Sequence, residues 1–163
     1  MGIICFHKEN EQYGFMSNWY PAEFTVDGVA YNCSEQYMMH QKALFFGDTV
    51  TAEKIMATAD PALQKKYGSE VTPYDDETWK GVRQTIVYKG VYAKFSQNED
   101  LKKQLLATGD EILAEAALND RAWGIGLCMQ DPEIYKRKQW RGLNLLGYLL
   151  MSVRFELRKA DEK

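Results

Sequence analysis

Apolar and polar positions alternate most sharply in Phe24-Thr25-Val26, Asp27-Gly28, Val29-Ala30-Tyr31. Asp-Gly accepts positive φ at both central positions, so the pattern predicts a two-residue type I′ hairpin with Phe24 opposite Tyr31 and Val26 opposite Val29. Ile3 to Phe6 is a short apolar run that reads as another strand. After the hairpin the repeat lengthens from two residues to three and four, the helical period. A helix is predicted through Glu35 and Lys42, stopping near Gly47 as its C′ residue. Two shorter ones follow, about Thr51 to Ala59 and Pro61 to Tyr67, the second with Asp60 as N-cap, Pro61 at its first position and Gly68 as its stop. Trp79, Val82, Ile86, Gly90 and Ala93 mark a longer helix from about Asp76 to Phe95. Asn98 then serves as N-cap for a helix that turns Leu101, Leu105 and Leu106 inward and ends at Gly109. Ile112 to Ala116 reads as a strand, residues 119–126 as loop, and Asp131-Pro132 as a turn. Leu146, Leu149, Leu150, Val153 and Leu157 form the buried stripe of a last helix, about Asn144 to Arg158.

Composition limits what such a chain can be. Its 163 residues, 45% hydrophobic and 13% aromatic, suffice for one core, so a single domain over 1–163 is expected. The most apolar stretch, Leu143 to Val153, is interrupted by Asn144, Gly147 and Ser152 and is too short to span a membrane. The N-terminal residues lack the features of an export signal, and Cys5, Cys33 and Cys128 are too few and too scattered for a disulfide framework. Both point to a reducing, cytoplasmic setting with the thiols buried. Neither His7 nor His40 has a second His or Cys at metal-ligand spacing, so no metal is expected, and no cofactor. A net charge of -3 argues against a stable nucleic-acid complex and leaves room for a small anionic ligand held by a few local cations.

Candidate chemistry concentrates in Asn32-Cys33-Ser34-Glu35-Gln36-Tyr37-Met38-Met39-His40-Gln41-Lys42. Glu35 and Lys42 are seven residues apart, almost two helical turns, and so project from one face about 10 Å apart. Met38 and Met39 lie between them, and an apolar setting shifts the pKa of ionisable groups. Asn32 and Glu35 also satisfy the spacing of a capping box, in which the Glu merely closes the first turn. Both readings stand at this point. Tyr13, Phe15, Trp19 and Tyr20 crowd a loop whose polar exception is Asn18. Gly124-x-Gly126 alone is weak as a phosphate loop, and Ser17 and Ser34 lack the elbow and histidine of a serine hydrolase.

Four motifs in order carry a more specific signal. These are Phe15-Met16-Ser17-Asn18-Trp19-Tyr20-Pro21; Ser34-Glu35-Gln36-Tyr37 with Gln41-Lys42-Ala43; Asp120-Arg121-Ala122-Trp123-Gly124-Ile125-Gly126; and Gly142-Leu143-Asn144-Leu145-Leu146-Gly147 with Arg154. The ordered set resembles the YbiA-like, or NADAR, family over nearly the whole chain; Trp19 departs from it, standing where a smaller aromatic is common. The resemblance implies a compact, helix-rich α+β domain with a small sheet including the hairpin, and an enzyme that hydrolyses N-glycosidic bonds. It implies two substrate classes: phosphoribosylamino-pyrimidine intermediates of riboflavin biosynthesis, and guanine bases carrying ADP-ribose. A non-catalytic module that binds NAD or ADP-ribose is the alternative of another class. The two substrates share a ribose anomeric carbon bonded to an exocyclic amine and a phosphate on the 5-position.

Carried over residue by residue, Glu35 is the general acid/base, Lys42 either an imine-forming nucleophile or a phosphate-binding cation, and Asp120 a second carboxylate. Substrate contacts fall to Asn18, Trp79, Trp123, Arg121 and Asn144, with Arg83 and Arg141 as further phosphate candidates. Each has a plainer reading: Asp120 as a turn residue, Trp79 as core, Asn144 as an N-cap. Two routes fit the chemistry. In one, a carboxylate supports an oxocarbenium-like transition state while an acid protonates the departing nitrogen. In the other, the ribose opens and a neutral lysine displaces the amine as an imine that water then hydrolyses.

Overall fold

A computed structural model describes residues 1–163 throughout. Two units emerge: Pro21–Asn98, and Met1–Tyr20 together with Glu99–Lys163. The secondary structure is helix-rich α+β, with six α-helices, one antiparallel hairpin and one parallel strand pair.

The first of these units opens with the hairpin of β1 (Phe24–Val26) and β2 (Val29–Tyr31). Its register is Phe24↔Tyr31 and Val26↔Val29, as the alternation predicts, and Asp27 and Gly28 both take positive φ, 51° and 81°. Phe24 stacks on Tyr31, Tyr31 meets Tyr37 edge to face at 5.1 Å, and Val26 and Ala93 complete the cluster. The hairpin thereby fixes the entry of α1 (Ser34–Phe45), which packs on α2 (Thr49–Met56), α3 (Pro61–Ser69) and α4 (Asp76–Ser96). Helix α1 ends as the glycine signal predicts, with Gly47 at φ 78° and its N–H bonded to the Leu44 carbonyl.

Two contacts explain how closely these helices approach. A Cβ at Gly90 of α4 would lie 2.1 Å from the Tyr37 ring, and one at Gly68 of α3 would lie 1.9 Å from Met39 Sδ. Gly68 therefore does not stop α3, as its position in sequence suggests; it lies inside the last turn, where only a glycine lets α1 so near. Helix α2 also begins earlier than the periodicity places it. Asp48, whose carboxylate accepts the Thr51 N–H at 3.0 Å, is the N-cap, and Asp60 caps α3 through Ala62 as expected.

The other unit pairs β3 (Ile3–Phe6) with β4 (Ile112–Glu115) in parallel, from Ile3↔Ile112 to Phe6↔Glu115. Cys5, Ala114, Ala116, Ile125, Leu127 and Ile134 form a core here, while α5 (Glu99–Ala107) and α6 (Leu145–Asp161) pack together and α6 lies on β4. All five residues of the α6 stripe are buried. Arg154, also buried, donates to Thr108 Oγ1 at 2.7 Å and to the Glu111 carbonyl at 2.9 Å, tying α6 to the segment before β4. No helix is long and apolar enough to cross a membrane.

Candidate active site

The start of α1 departs from the capping box that Asn32 and Glu35 suggest. The N-cap is Cys33, extended and without a side-chain cap bond, so Gln36 occupies the third helical position. Its Oε1 accepts the Asn32 N–H at 2.8 Å, and its Nε2 donates to the carbonyls of Ile55 and Thr58. The helix starts one residue later than Asn32 would have it, and the reach-back contact is made by Gln36, to the N–H one residue before the N-cap. Asn32 instead donates to the Ala59 carbonyl and accepts from Gln64. Glu35 lies in the first turn, 5% exposed, where the positive end of the helix dipole favours a carboxylate. Ser34 Oγ beside it is buried and makes no hydrogen bond.

Two turns along, the half-buried Lys42 amine donates to the Gly68 carbonyl at 2.8 Å and sits 4.5 Å from the centre of the Tyr74 ring. Burial lowers its pKa, opposed by the charges of Asp76 and Glu35. Met38 and Met39, both buried, supply the apolar wall between the two ionisable residues. Tyr74 is fixed in turn: its hydroxyl donates to Asp76 Oδ1 at 2.8 Å, and Asp76 also holds Lys80 at 2.7 Å. Trp79 is 5% exposed and tilted against Phe46, which meets Tyr74 edge to face at 5.2 Å. Its surroundings are those of a core residue. Arg83 follows one turn later on α4.

The other named residues lie in the second unit. Asp120 Oδ1 accepts the N–H groups of Ala122 at 3.0 Å and Trp123 at 2.8 Å, so one carboxylate oxygen shapes the loop. Trp123 is 8% exposed. This loop is laced to residues 141–146 by backbone bonds, among them Arg141 N–H to the Ile125 carbonyl and Asn144 N–H to the Gly124 carbonyl. A Cβ at Gly142 would lie 2.2 Å from the Gly124 carbonyl oxygen, so the glycines here serve close backbone approach. Arg121 and Arg141 are exposed, and Asn18 is 7% exposed.

Asn144 stands at the N-cap position of α6, as expected, but its side chain does other work. It is fully buried at φ 53° and makes no side-chain cap bond. Its Oδ1 accepts the Glu115 N–H at 3.0 Å while its Nδ2 donates to the Leu113 carbonyl at 2.9 Å. Both ends of the amide are committed to β4, which explains why the side chain does not cap α6.

Two residues escaped the sequence reading. Tyr74, 42% exposed beside Lys42, looks like one more aromatic in a Pro-containing turn. Lys94 is 1% exposed on α4, and burial pushes its amine down to about 7. Its spacing was a usable signal, since four residues after Gly90 it falls on the face that α4 turns inward. Burial raises the Cys33 and Cys5 thiols to about 11, which leaves both protonated and unreactive near neutrality.

Comparison with known proteins agrees with these motifs. A family model described as the NADAR domain matches residues 5–158. An N-glycosidase of Acanthamoeba polyphaga mimivirus is 38% identical over 161 residues, covering 94% of this chain and 95% of that one. A riboflavin biosynthesis protein of Vibrio vulnificus is 35% identical; the match covers 96% of this chain but 39% of that longer protein. The NMR structure of Escherichia coli YbiA superposes with a TM-score of 0.82 at 31% identity, over 99% of this chain and 88% of YbiA.

Proposed function

The chain belongs to the NADAR family, and from that premise we propose that it is an N-glycosidase, one that cleaves the bond between a 5-phosphorylated ribose and an exocyclic amine. The observation that carries this reading is the pairing on α1 of a buried Glu35 with a Lys42 amine whose pKa burial lowers. An acid/base group and an amine nucleophile two turns apart are the parts that such a cleavage requires. The relative named as a riboflavin biosynthesis protein supports phosphoribosylamino-pyrimidines as the substrates. A net charge of -3 suits a small metabolite better than a nucleic acid. The reducing setting inferred from the cysteines is the cytoplasm.

The chemistry proceeds by exchange at the anomeric carbon. The nitrogen lone pair of the glycosylamine expels the ring oxygen, which takes a proton, and leaves a C–N double bond at C1. The neutral Lys42 amine adds to C1; Glu35 accepts the proton lost by that nitrogen and delivers it to the departing base amine. Water, deprotonated by the Glu35 carboxylate, then adds to the lysine imine, and collapse releases the sugar phosphate and restores the amine. One water is consumed and one C–N bond is broken. In the other unit, Asp120, through the oxygen that does not shape its loop, Asn18 and Arg121 keep the ligand-contact roles that the resemblance implies for each. Trp79 and Trp123, each within its own unit, keep the substrate-contact roles that the resemblance implies for them, their burial leaving little open face for stacking.

Incubation with a phosphoribosylamino-pyrimidine and, separately, with ADP-ribosylated guanosine tests the proposal by release of base and sugar. Release from the first is expected. Release from the second alone would move the substrate assignment to ADP-ribosylated guanine. Release from neither, with ADP-ribose still bound, would replace the hydrolase by a sensor.

A further inference from the structure

The amine assigned to the chemistry has one partially exposed aromatic neighbour that nothing so far employs. We propose that Tyr74 is the platform on which the base of the substrate stacks, a specificity-determining contact beside Lys42. This rests on the reading that Lys42 acts at C1. A nucleophile in near-attack geometry lies about 3 Å from its target carbon, and the base ring begins two bonds from C1. The base must therefore lie within a few ångströms of Nζ, and the Tyr74 ring centre is 4.5 Å from that same atom.

Exposure separates Tyr74 from its neighbours. It is 42% exposed, whereas Trp79 is 5% exposed. Phe46, which also touches Trp79, meets Tyr74 edge to face and supports it from the side. The hydroxyl is held by Asp76, which Lys80 holds in turn, so the ring is fixed before a ligand arrives. A rigid aromatic needs little ordering on binding, the property that makes stacking platforms effective and tolerant of the base they receive.

Product inhibition tests this without depending on which substrate is physiological. Inhibition constants are measured for a free 5-aminopyrimidine, standing for the base, and for ribose 5-phosphate, standing for the sugar, against wild type, Tyr74→Leu and Tyr74→Phe. Leu removes the ring. Phe keeps it without the hydroxyl and controls for folding, with circular dichroism and melting followed on all three. The expected result is a rise of about ten-fold in the constant for the base with Tyr74→Leu, little change for ribose 5-phosphate, and constants within about three-fold of wild type for Tyr74→Phe. If the ribose 5-phosphate constant moves instead, the Lys42 corner holds the phosphate and the inference is wrong. Equal losses for both ligands, or none, also overturn it. Failure of wild type to release base from either substrate would instead defeat the proposed function, a separate result.

Discussion

The side-chain oxygen of Gln36 accepts the backbone N–H of Asn32 at 2.8 Å, and by doing so it takes over the closing of the first turn of α1. Glu35, one residue earlier and 5% exposed, is the group proposed for proton transfer. Two substitutions separate the roles. Glu35→Gln is expected to melt within a few degrees of wild type and to lose turnover by at least two orders of magnitude, since an amide cannot exchange the proton. Gln36→Ala removes the reach-back contact along with the bonds to Ile55 and Thr58, and is expected to cost about 2 kcal/mol of stability. Thermal melting and steady-state kinetics on both variants check this; normal turnover in Glu35→Gln with a sharply lower melting temperature would return Glu35 to a structural role.

For Lys42, the imine route makes a covalent prediction. Borohydride added during turnover should reduce the intermediate and leave the sugar phosphate attached at position 42, a mass increase that peptide mapping locates. Lys42→Arg should be inactive although it keeps the charge, because guanidinium stays protonated and forms no imine. Its pKa direction gives a further expectation. Burial favours the neutral amine, so the rate should rise with pH through a value below that of an ordinary lysine, then level off. Substantial activity in Lys42→Arg without an adduct would leave the residue as an orienting cation.

Much of the fold was legible because its signals are local. Asp27-Gly28 specifies a turn, Gly47 a helix stop, and the α6 stripe a buried face, each through neighbours in sequence. What was not legible depends on distant partners. Gly68 reads as a helix stop until Met39 is brought against it, and the Asn144 side chain reads as a cap until β4 offers both a carbonyl and an N–H to its amide. The site divides along the same line. Glu35 and Lys42 are linked by helical spacing and were found. Tyr74 reaches Lys42 from 32 positions along the chain, through a turn whose local sequence carries no hint of the contact.

Asp120 serves its loop through one oxygen only, and the two oxygens can be separated by substitution. Asp120→Asn keeps an acceptor for the Ala122 and Trp123 N–H groups, so it should fold with a loss of no more than about 1 kcal/mol. Asp120→Ala removes that acceptor and should be less stable by about 2 kcal/mol. If the carboxylate also contacts the ribose or the attacking water, Asp120→Asn should still lose turnover at least ten-fold. Full activity in Asp120→Asn would confine the residue to shaping the loop.

Lys94 gives the fold a dependence on pH whose sign follows from its position. The side chain is 1% exposed and its pKa falls from 10.5 to about 7 on folding, with desolvation the chief cause and the Cys33 thiol a minor opposing influence. Between those two values the unfolded chain binds a proton that the folded chain does not, so stability rises with pH; below about 7 both states carry the proton and the dependence vanishes. The slope inside the window approaches about 1.4 kcal/mol per pH unit. Measurements are best kept below pH 9, because the Cys5 and Cys33 thiols, raised from 9.0 to about 11, contribute the opposite slope above it. Lys42, also lowered, contributes with the same sign as Lys94, so wild type alone does not isolate the residue. The difference between wild type and Lys94→Met does. Chemical denaturation at pH 6, 7, 8 and 9 should show wild-type stability climbing above pH 7 and the variant following a distinctly flatter line, whatever its absolute stability. Parallel lines for the two proteins would mean that Lys94 stays protonated in the folded state and that burial alone does not govern its charge.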